Sequence, residues 1–233
     1  MRACVIIPAR FSSSRFPGKP LIKLCGKEMI LWVAEICAKA VDISNVYIAT
    51  DDNRISNLVI ESGFQSILTS PNLLTGTDRV AEASKNLDYD VYVNVQGDEP
   101  FLSAEVIRQV GVQVESEKNY VATVFKKLNL RSSNDVNLVK VVTDRDNFAL
   151  YFSRASIPNS TLSNDVKSMD IKKHIGIYGY TAKTLLEFVS FERPEIELKE
   201  SLEQLRFLYY GIQIKVLEAE GEVGIGIDTA EDL

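Results

Sequence analysis

Three cations lie within a short polar segment that directly follows an apolar run near the N-terminus. The run spans residues 3–7, and the polar segment, residues 8–20, reads Pro-Ala-Arg-Phe-Ser-Ser-Ser-Arg-Phe-Pro-Gly-Lys-Pro. Its prolines, serines and glycine exclude a helix and predict that the preceding strand ends at the first proline. Backbone N–H groups of such a turn can surround phosphate oxygens, whose charge Arg10, Arg15 and Lys19 would neutralise. This segment, called the N-terminal loop below, is therefore predicted to bind phosphate; a solvated surface loop is the alternative.

Two aspartates that are far apart in the sequence could hold a divalent metal ion. Asp98 ends an apolar run within Val-Asn-Val-Gln-Gly-Asp-Glu-Pro (residues 93–100), where Gly97 permits close approach of the backbone. Asp228, within Gly-Ile-Asp-Thr, adds a second carboxylate. Mg²⁺ is usually held by one or two carboxylates together with substrate phosphates, because the ion keeps several of its water ligands. A simple strand-ending turn, which Gly-Asp also favours, is the alternative for Asp98.

Short apolar runs alternate with amphipathic segments through the first half of the chain, and these elements must position the charged groups. Strands are predicted at residues 3–7, 46–50 and 91–95. Helices are predicted over 29–40, from a capping residue at 52 to a glycine at 63, over 77–87 and over 103–117. Strands joined by helices form parallel sheets whose carboxyl ends carry the ligand site. The alternation therefore predicts an α/β fold in three layers around a mostly parallel sheet.

The second half of the chain is predicted to be more mixed. Strands at 120–125, 138–143 and 148–153 have short connections, which predicts some antiparallel pairing. Further predicted elements are helices near 181–190 and 199–210 and a strand at 212–218. The polar, irregular residues 156–173 are predicted to form a mobile loop.

Composition argues against several classes of protein. The 233-residue chain has a net charge of −6 and no basic block, which argues against electrostatically driven binding of nucleic acid. No run approaches the ~18 apolar residues of a membrane span, and no basic leader precedes an apolar segment, so we expect no membrane association. Cys4, Cys25 and Cys37 are odd in number and lack Cys-x-x-Cys spacing, so we expect reduced core thiols in a cytoplasmic protein.

The motifs of the chain, taken in order, resemble those of the 3-deoxy-manno-octulosonate (Kdo) cytidylyltransferase family. The N-terminal loop matches the pattern Ile-Ile-Pro-Ala-Arg-x-x-Ser-x-Arg-x-Pro-Gly-Lys-Pro-Leu. Further blocks follow in the family's order over nearly the whole chain: ATDD (49–52), TGTDR (75–79), VNVQGDEP (93–100), VKVV (139–142), YFSRASIP (151–158), HIGIYGY (174–180), LEQLR (202–206) and GIDTAEDL (226–233).

The resemblance implies a nucleotidyltransferase of lipopolysaccharide synthesis, which couples CTP to an acidic eight-carbon sugar and releases pyrophosphate. It implies one domain over residues 1–233 with the three-layer, Rossmann-like fold of the nucleotide-diphospho-sugar transferases. A subregion from about 127 to 190 would cover the sugar and contribute to a homodimer. The resemblance also implies that Asp98 and Asp228 meet at one Mg²⁺ ion in a cytoplasmic enzyme.

The resemblance also assigns individual site residues. The implied catalytic set is Arg10, Lys19, Asp98 and Asp228. The implied CTP-binding set is Ala9, Arg10, Ser13, Ser14, Arg15, Lys19, Thr77 and Arg79. The implied sugar-binding set is Arg79, Gln96, Arg154, His174, Tyr178, Glu203 and Gln204. Residue chemistry alone favours a structural role for the single histidine and a surface ion pair for Arg154, and the resemblance reverses both interpretations.

Departures from the family pattern leave the identity of the sugar open. The proline that commonly precedes VKVV is absent, although Asn137 and Lys140 are kept. The segment after Pro158 is neutral to acidic, and Thr181 stands where the family commonly has an arginine. The sequence also stops at residue 233, where the family pattern continues into a closing helix. Less positive charge would suit an amino sugar such as 8-amino-3,8-dideoxy-octulosonate. Two other interpretations stay open: an enzyme like CMP-sialate synthetase or another sugar nucleotidyltransferase, and a nucleotide-binding regulator without turnover.

Overall fold

The computed structural model of the protein describes most of the chain. The described ranges are 2–12, 16–114, 120–128, 135–158, 171–224 and 226–227, with residue 120 described by its backbone alone. The strands in these ranges are β1 (Ala3–Ala9), β2 (Lys23–Leu24), β3 (Lys27–Glu28), β4 (Val46–Thr50), β5 (Gln65–Leu68), β6 (Val91–Val95), β7 (Tyr120–Leu128), β8 (Lys140–Thr143), β9 (Ala149–Ser153), β10 (Ile171–Thr181) and β11 (Gln213–Glu218). The α-helices are α1 (Met29–Ala40), α2 (Asn53–Glu61), α3 (Gly76–Ser84), α4 (Ala104–Gln113), α5 (Ala182–Ser190), α6 (Glu195–Glu200) and α7 (Gln204–Tyr209).

One large sheet organises the described residues. Its strands follow the order β11-β7-β10-β6-β1-β4-β5, and β8 joins it by pairing with β10 and β9. The first half of the chain pairs in parallel, β1 with β4 and β6 and β4 with β5, as does β7 with β11. Antiparallel pairing enters through β10, which pairs with β6, β7 and β8. The predicted α/β fold around a mostly parallel sheet is confirmed, as is the antiparallel pairing in the second half.

Strand β1 lies in the interior of the sheet, between β6 and β4, and is buried from Cys4 to Ala9. A continuous apolar run is expected of a parallel strand that is covered on both faces. The prediction that this strand ends at Pro8 is wrong, because Pro8 pairs with Ala49 and the strand continues for one further residue. The ladder with β6 stops at Ile6, so the proline lies where β1 is paired on one side only and a missing N–H is tolerated.

The helices of the first half form where predicted, with ends that are set by capping groups. Asp52 accepts a hydrogen bond from the backbone N–H of Arg54 and caps α2, as predicted. Thr75 and Asp78 form a reciprocal capping box, so α3 begins at Gly76, one residue before its predicted start. It ends at residue 84, three residues before its predicted end. Helix α4 ends at residue 113, four residues before its predicted end.

Two predictions for the second half need correction. The helix predicted near 199–210 is two helices, α6 and α7, because Ser201 adopts a left-handed conformation (φ 54°) between them. The predicted irregular loop at 156–173 overlaps β10, which begins at residue 171, and residues 159–170 lie outside the described ranges. Within this strand the Lys172 ammonium lies 4.7 Å from the centre of the Phe125 ring and donates to the Thr143 hydroxyl at 2.6 Å, so the strand satisfies its charge.

The cysteines do not all lie in the core. Cys4 and Cys37 are buried as predicted, and burial raises the pKa of the Cys4 thiol to about 12. Cys25 is exposed, so its assignment to the core is wrong. It occupies the two-residue turn between β2 and β3 with Gly26, and both residues have positive φ (51° and 86°), as a primed hairpin turn requires. Within the described ranges, no helix combines the length and apolar character that a membrane crossing needs.

Candidate active site

The predicted site residues of the first half converge where three parallel strands end. Strands β4, β1 and β6 are neighbours in the sheet, and their carboxyl ends lie at the same edge. The N-terminal loop leaves β1 after Ala9, Asp51 follows β4, and Gln96 follows β6. Parallel pairing thus brings together three segments that are each about forty residues apart in the sequence. The carboxyl ends of parallel strands are the usual place for a ligand site in this class of fold.

An ion pair connects the N-terminal loop to the end of β6. Lys19 begins a short 3₁₀ helix (Lys19–Leu21), and its Nζ lies 2.6 Å from the Oδ2 atom of Asp98. The Lys19 side chain is 11% exposed and that of Asp98 is 35% exposed, so the carboxylate keeps an accessible side. The carbonyl oxygen of Pro8 lies 3.2 Å from the position that a Cβ at Gly97 would take. A Cβ at this position would push against the Pro8 carbonyl, so glycine permits the close backbone approach that the sequence predicts there.

The backbone near the C-terminus reaches the same point. The N–H of Ile227 donates to the carbonyl oxygen of Asp98 at 3.0 Å. A Cβ at Gly226 would lie 3.2 Å from a carboxylate oxygen of Glu99. The next residue along the chain is Asp228, which lies outside the described ranges, so its meeting with Asp98 at a metal ion stays a prediction. The described residues by themselves contain no cluster of three or more metal ligands.

The described ends of the N-terminal loop are tied to each other and to the sheet edge. The N–H of Gly18 donates to the carbonyl oxygen of Phe11 at 2.9 Å, and the Phe11 N–H approaches Asp51 Oδ1 at 3.4 Å. Arg10 is exposed and donates to the carbonyl oxygen of Leu74 at 3.3 Å. The remaining predicted loop residues lie outside the described ranges, and these are Ser13, Ser14 and Arg15.

Arg79 is fully buried beneath this loop. Its Nη2 lies 3.1 Å from Asp51 Oδ2, and its Nη1 donates to the hydroxyl of Thr69. Burial is the main cause of the lowered pKa of the Arg79 guanidinium, which the nearby charge of Arg10 lowers further and Asp51 partly restores. Because the guanidinium has no exposed surface, contacts of Arg79 with CTP and sugar stay predictions. The visible role of Arg79 is to hold Asp51, which in turn contacts the loop backbone.

A row of rings along β10 marks the predicted sugar side. The His174 ring lies 5.3 Å from that of Tyr178, and Tyr178 stacks on Tyr180 at 6.1 Å between centroids. The Tyr180 hydroxyl lies 3.4 Å from the hydroxyl of Thr77 at the start of α3. Gln96 approaches the same strand, since a Cβ at position 176 would lie 3.6 Å from its Cγ. The row therefore runs from the single histidine to the beginning of α3.

Glu203 closes the N-terminus of α3. Its carboxylate accepts hydrogen bonds from the backbone N–H groups of Gly76 (3.2 Å) and Thr77 (3.1 Å), 126 or more positions away in sequence. A carboxylate stabilises the positive end of a helix dipole and satisfies N–H groups that have no intrahelical partner. Gln204 follows it and is buried. The local sequence pattern predicts only that both residues are polar positions on a helix. The tertiary structure shows that Glu203 caps α3.

A second polar cluster surrounds Arg154. Its backbone N–H donates to Glu200 Oε2 at 3.0 Å, and its guanidinium donates to the carbonyl oxygens of Glu200 and Val136, both at 3.2 Å. Lys140 is 1% exposed and donates to the carbonyl oxygens of residues 135 and 138, each at 2.8 Å, and to that of Arg154. Burial lowers the pKa of Lys140. Sequence analysis did not assign Glu200 or Lys140 to the site, although Lys140 is retained in a family motif.

A buried ion pair supports the segment that carries Glu203. Arg206 on α7 binds Glu197 on α6 through two contacts of 2.7 Å, and both side chains are almost completely buried. Arg206 also lies 3.6 Å from Asp78 in the capping box of α3. This network was missed from sequence, because nothing in the local pattern joins residue 197 to residue 78.

Comparisons with known proteins agree with the motif order. The cytidylyltransferase family model matches residues 4–214 of the chain. The chain is 43% identical over 241 aligned residues to the 3-deoxy-manno-octulosonate cytidylyltransferase of Syntrophotalea carbinolica, covering 100% of this chain and 96% of that protein. It is 42% identical over 236 residues to the enzyme of the same name from Bdellovibrio bacteriovorus, with coverage of 100% and 95%.

Solved structures of cytidylyltransferases are similar to this chain in fold. The chain is similar to CMP:2-keto-3-deoxy-manno-octonic acid synthetase complexed with CTP, with a TM-score of 0.89, 35% identity and coverage of 99% of this chain and 95% of that chain. The inositol-1-phosphate CTP transferase from T. maritima matches with a TM-score of 0.71 at 15% identity, over 100% of this chain and 91% of that chain, which shows the fold alone. The full-length identity, the family match and the shared fold together place this chain in the cytidylyltransferase family, among the 3-deoxy-manno-octulosonate cytidylyltransferases.

Proposed function

We propose that the protein transfers the cytidylyl group of CTP to Kdo and releases pyrophosphate. The observation that carries this proposal is the contact of Lys19 with Asp98, which brings a cation of the N-terminal loop to a partly exposed carboxylate at the carboxyl end of the parallel strands. The names of the full-length relatives support the same donor and acceptor.

The reaction is an in-line displacement at phosphorus. The oxygen of the anomeric hydroxyl of the sugar forms a bond to the α-phosphorus while the bond from that phosphorus to the pyrophosphate oxygen breaks, and the hydroxyl proton is lost. Nucleotidyl transfer of this kind depends on positioning and on neutralising charge. Arg10 follows the end of β1 and Lys19 contacts Asp98 after the end of β6, and there they would hold the triphosphate and stabilise the charge of the departing pyrophosphate. Arg15 would join them.

A magnesium ion fits the chemistry of this edge. The Asp98 carboxylate is partly exposed, and the Ile227 contact brings the chain before Asp228 to the Asp98 backbone. We propose that Asp98 and Asp228 hold Mg²⁺ together with substrate phosphates. When bound, the ion would compensate phosphate charge and lower the pKa of the attacking hydroxyl. The contact of Lys19 with Asp98 holds this carboxylate beside the N-terminal loop.

The sugar would bind along the row of rings in β10. We propose that Arg154 holds the sugar carboxylate, because a guanidinium can make two parallel hydrogen bonds to it. The remaining contacts would come from Gln96, His174, Tyr178 and Gln204, with Glu203 acting by capping α3. Ala9 ends the buried part of β1, and with Ser13 and Ser14 it would lie near the cytosine.

The structure removes one reason to expect an amino sugar. Thr181 is 7% exposed and caps α5, since its hydroxyl oxygen accepts a hydrogen bond from the backbone N–H of Thr184 at 3.1 Å. Threonine therefore has a local reason to replace arginine at this position. The other motive, the neutral segment after Pro158, lies outside the described ranges. We accordingly favour Kdo over its 8-amino analogue.

The oligomeric state and location follow from the same proposal. We propose a cytoplasmic homodimer in which residues 127–190 contribute to the sugar site and the interface. Sedimentation velocity of the purified protein checks this part, because a monomer at every concentration would contradict it.

Pyrophosphate release tests the proposed function directly. The protein is incubated with CTP and Mg²⁺ and with Kdo, 8-amino-3,8-dideoxy-octulosonate, sialic acid or no sugar, in parallel. Release with Kdo above the other sugars is expected. Faster release with the amino sugar would change the substrate, and release with sialic acid would favour the alternative enzyme. Binding of CTP without release with any sugar would favour a regulator.

A further inference from the structure

A β-bulge in β10 places two backbone carbonyls against one threonine hydroxyl. The pairing of β10 with β7 shifts its register between Ile175 and Tyr178. Thr123 on β7 is fully buried, and its Oγ1 lies 2.7 Å from the carbonyl oxygen of Ile177 and 3.3 Å from that of Ile175. Buried carbonyl oxygens require donors and can only accept. The single hydroxyl proton of Thr123 is therefore directed at this pair of carbonyls.

The same hydroxyl contacts the only histidine. The Oγ1 atom of Thr123 lies 3.0 Å from Nε2 of His174. Because the hydroxyl proton already points at a carbonyl, its oxygen can only accept in this second contact. Nε2 of His174 must then carry a proton, and Nδ1 of a neutral ring has a lone pair that can accept a hydrogen bond. Within the described ranges, Nδ1 makes no hydrogen bond.

The surroundings of the ring keep it neutral. His174 is 7% exposed and lies against the edge of Phe152, with 5.0 Å between ring centres, and beside Tyr178. The charged groups nearest to it on β10 and β8 are cations, Lys173 and its cross-strand partner Lys140. Burial, and then the charge of Lys173, lower the pKa of the imidazole to about 3. A protonated ring would gain no opposite charge from these strands.

We propose that Thr123 is a positioning residue that fixes His174 as the neutral Nε2–H tautomer, and that Nδ1 accepts a hydrogen bond from a hydroxyl or ammonium group of the sugar. A neutral ring with a free lone pair repels a carboxylate and attracts an O–H or N–H donor. In this arrangement Arg154, and not His174, binds the sugar carboxylate. The identity of the sugar rests on the proposed function, whereas the tautomer does not depend on it.

The tautomer is tested by nitrogen NMR of the ligand-free, ¹⁵N-labelled protein. The chain has one histidine, so the imidazole signals need no residue assignment, and their different couplings to the two carbon-bound ring protons distinguish Nδ1 from Nε2. We expect a protonated Nε2 and an unprotonated Nδ1 whose signals do not change between about pH 5 and 8. Thr123→Ser keeps the hydroxyl and should give the same spectrum, while Thr123→Val should give mixed tautomers. An imidazolium or an Nδ1–H ring in the wild-type protein, or in Thr123→Ser, would overturn the assignment.

The acceptor role is tested by adding Kdo to the protein with CTP in the presence of a chelator. The Nδ1 signal should move with Kdo and stay in place with CTP alone. His174→Gln can still donate to Thr123 but has no acceptor at the Nδ1 position, and His174→Asn places its amide oxygen close to that position. The KM for Kdo should rise about tenfold in His174→Gln and less in His174→Asn, with the KM for CTP changed by less than about twofold.

The outcomes separate the two proposals. Turnover of Kdo without a change at Nδ1, or equal KM values for the two histidine variants, would overturn the acceptor role. Absence of turnover with Kdo in the wild-type protein would count against the proposed function and against Kdo as the donor to Nδ1. The ligand-free spectrum would still decide the role of Thr123.

Discussion

The Nζ atom of Lys19 lies 2.6 Å from the Oδ2 atom of Asp98, so an ion pair joins the N-terminal loop to the end of β6. The two residues are separated by 79 positions in the chain. The pair sits at the sheet edge where the proposed reaction takes place, and it holds in one place the two charges that the triphosphate and the metal ion would each need.

Loss of either charge should impair turnover more than binding of the sugar. We expect Asp98→Asn to lower kcat by about 10³ and Lys19→Met by about 10², since removing one group that stabilises transition-state charge typically costs this much. Steady-state pyrophosphate release measures both. Asp88→Asn is the matched control, because Asp88 is exposed at the opposite edge of the sheet, where it pairs with Arg2. A kcat of Asp98→Asn within tenfold of wild type would contradict the assigned role.

The capping role of Glu203 can be separated from sugar binding. Glu203→Gln removes the charge at the N-terminus of α3 and should lower the free energy of unfolding by about 1–2 kcal/mol, because a carboxylate there stabilises the helix dipole and two N–H groups. Urea unfolding measures this change. Glu195→Gln alters an exposed carboxylate on α6 that pairs with Lys199 and should change stability by less than about 0.5 kcal/mol. Equal effects of the two variants would argue against the cap.

Acid should destabilise the protein partly through His174. The pKa of its imidazole is lowered from 6.5 to about 3 on folding, mainly by burial. Between these pH values the unfolded chain binds a proton that the folded chain does not, so protonation favours unfolding. Above pH 6.5 the ring is neutral in both states and does not lower the free energy of unfolding. Below pH 6.5 the free energy of unfolding falls, through this group, by up to about 1.4 kcal/mol for each pH unit. The wild-type free energy of unfolding minus that of His174→Gln should shrink accordingly; a constant difference from pH 6.5 to 4 would contradict burial of a neutral ring.

Thiol labelling tests the different positions of the cysteines. Cys25 is exposed in the β2–β3 turn, whereas burial of Cys4 and Cys37 raises the pKa of both thiols and shields them. One thiol per chain should react with a chromogenic disulfide reagent in the native protein, and all three should react in urea. Cys25→Ser should abolish the native reaction. Two or more fast-reacting thiols would show that the core opens readily.

Much of the fold could be predicted because its signals are local. The apolar runs of β1, β4 and β6 and the capping side chain of Asp52 are visible within a few residues, and parallel order follows from their alternation with helices. Errors occur where a distant partner decides the local structure. Lys172 lies in a strand that pairs with β7, where its ammonium lies 4.7 Å from the centre of the Phe125 ring. Ser201 divides the helix predicted near 199–210 through its left-handed backbone conformation.

The sequence by itself determined the family of the chain and the residue types of the proposed site: the cations of the N-terminal loop, the carboxylate after β6 and the single histidine. Only the tertiary structure decided which groups meet. It placed Glu203 on the N-terminus of α3, buried Arg79 against Asp51 and set the hydroxyl of Thr123 between a bulge and His174. These contacts depend on strand register and on the register shift within β10, and such long-range geometry has no counterpart in local residue pattern.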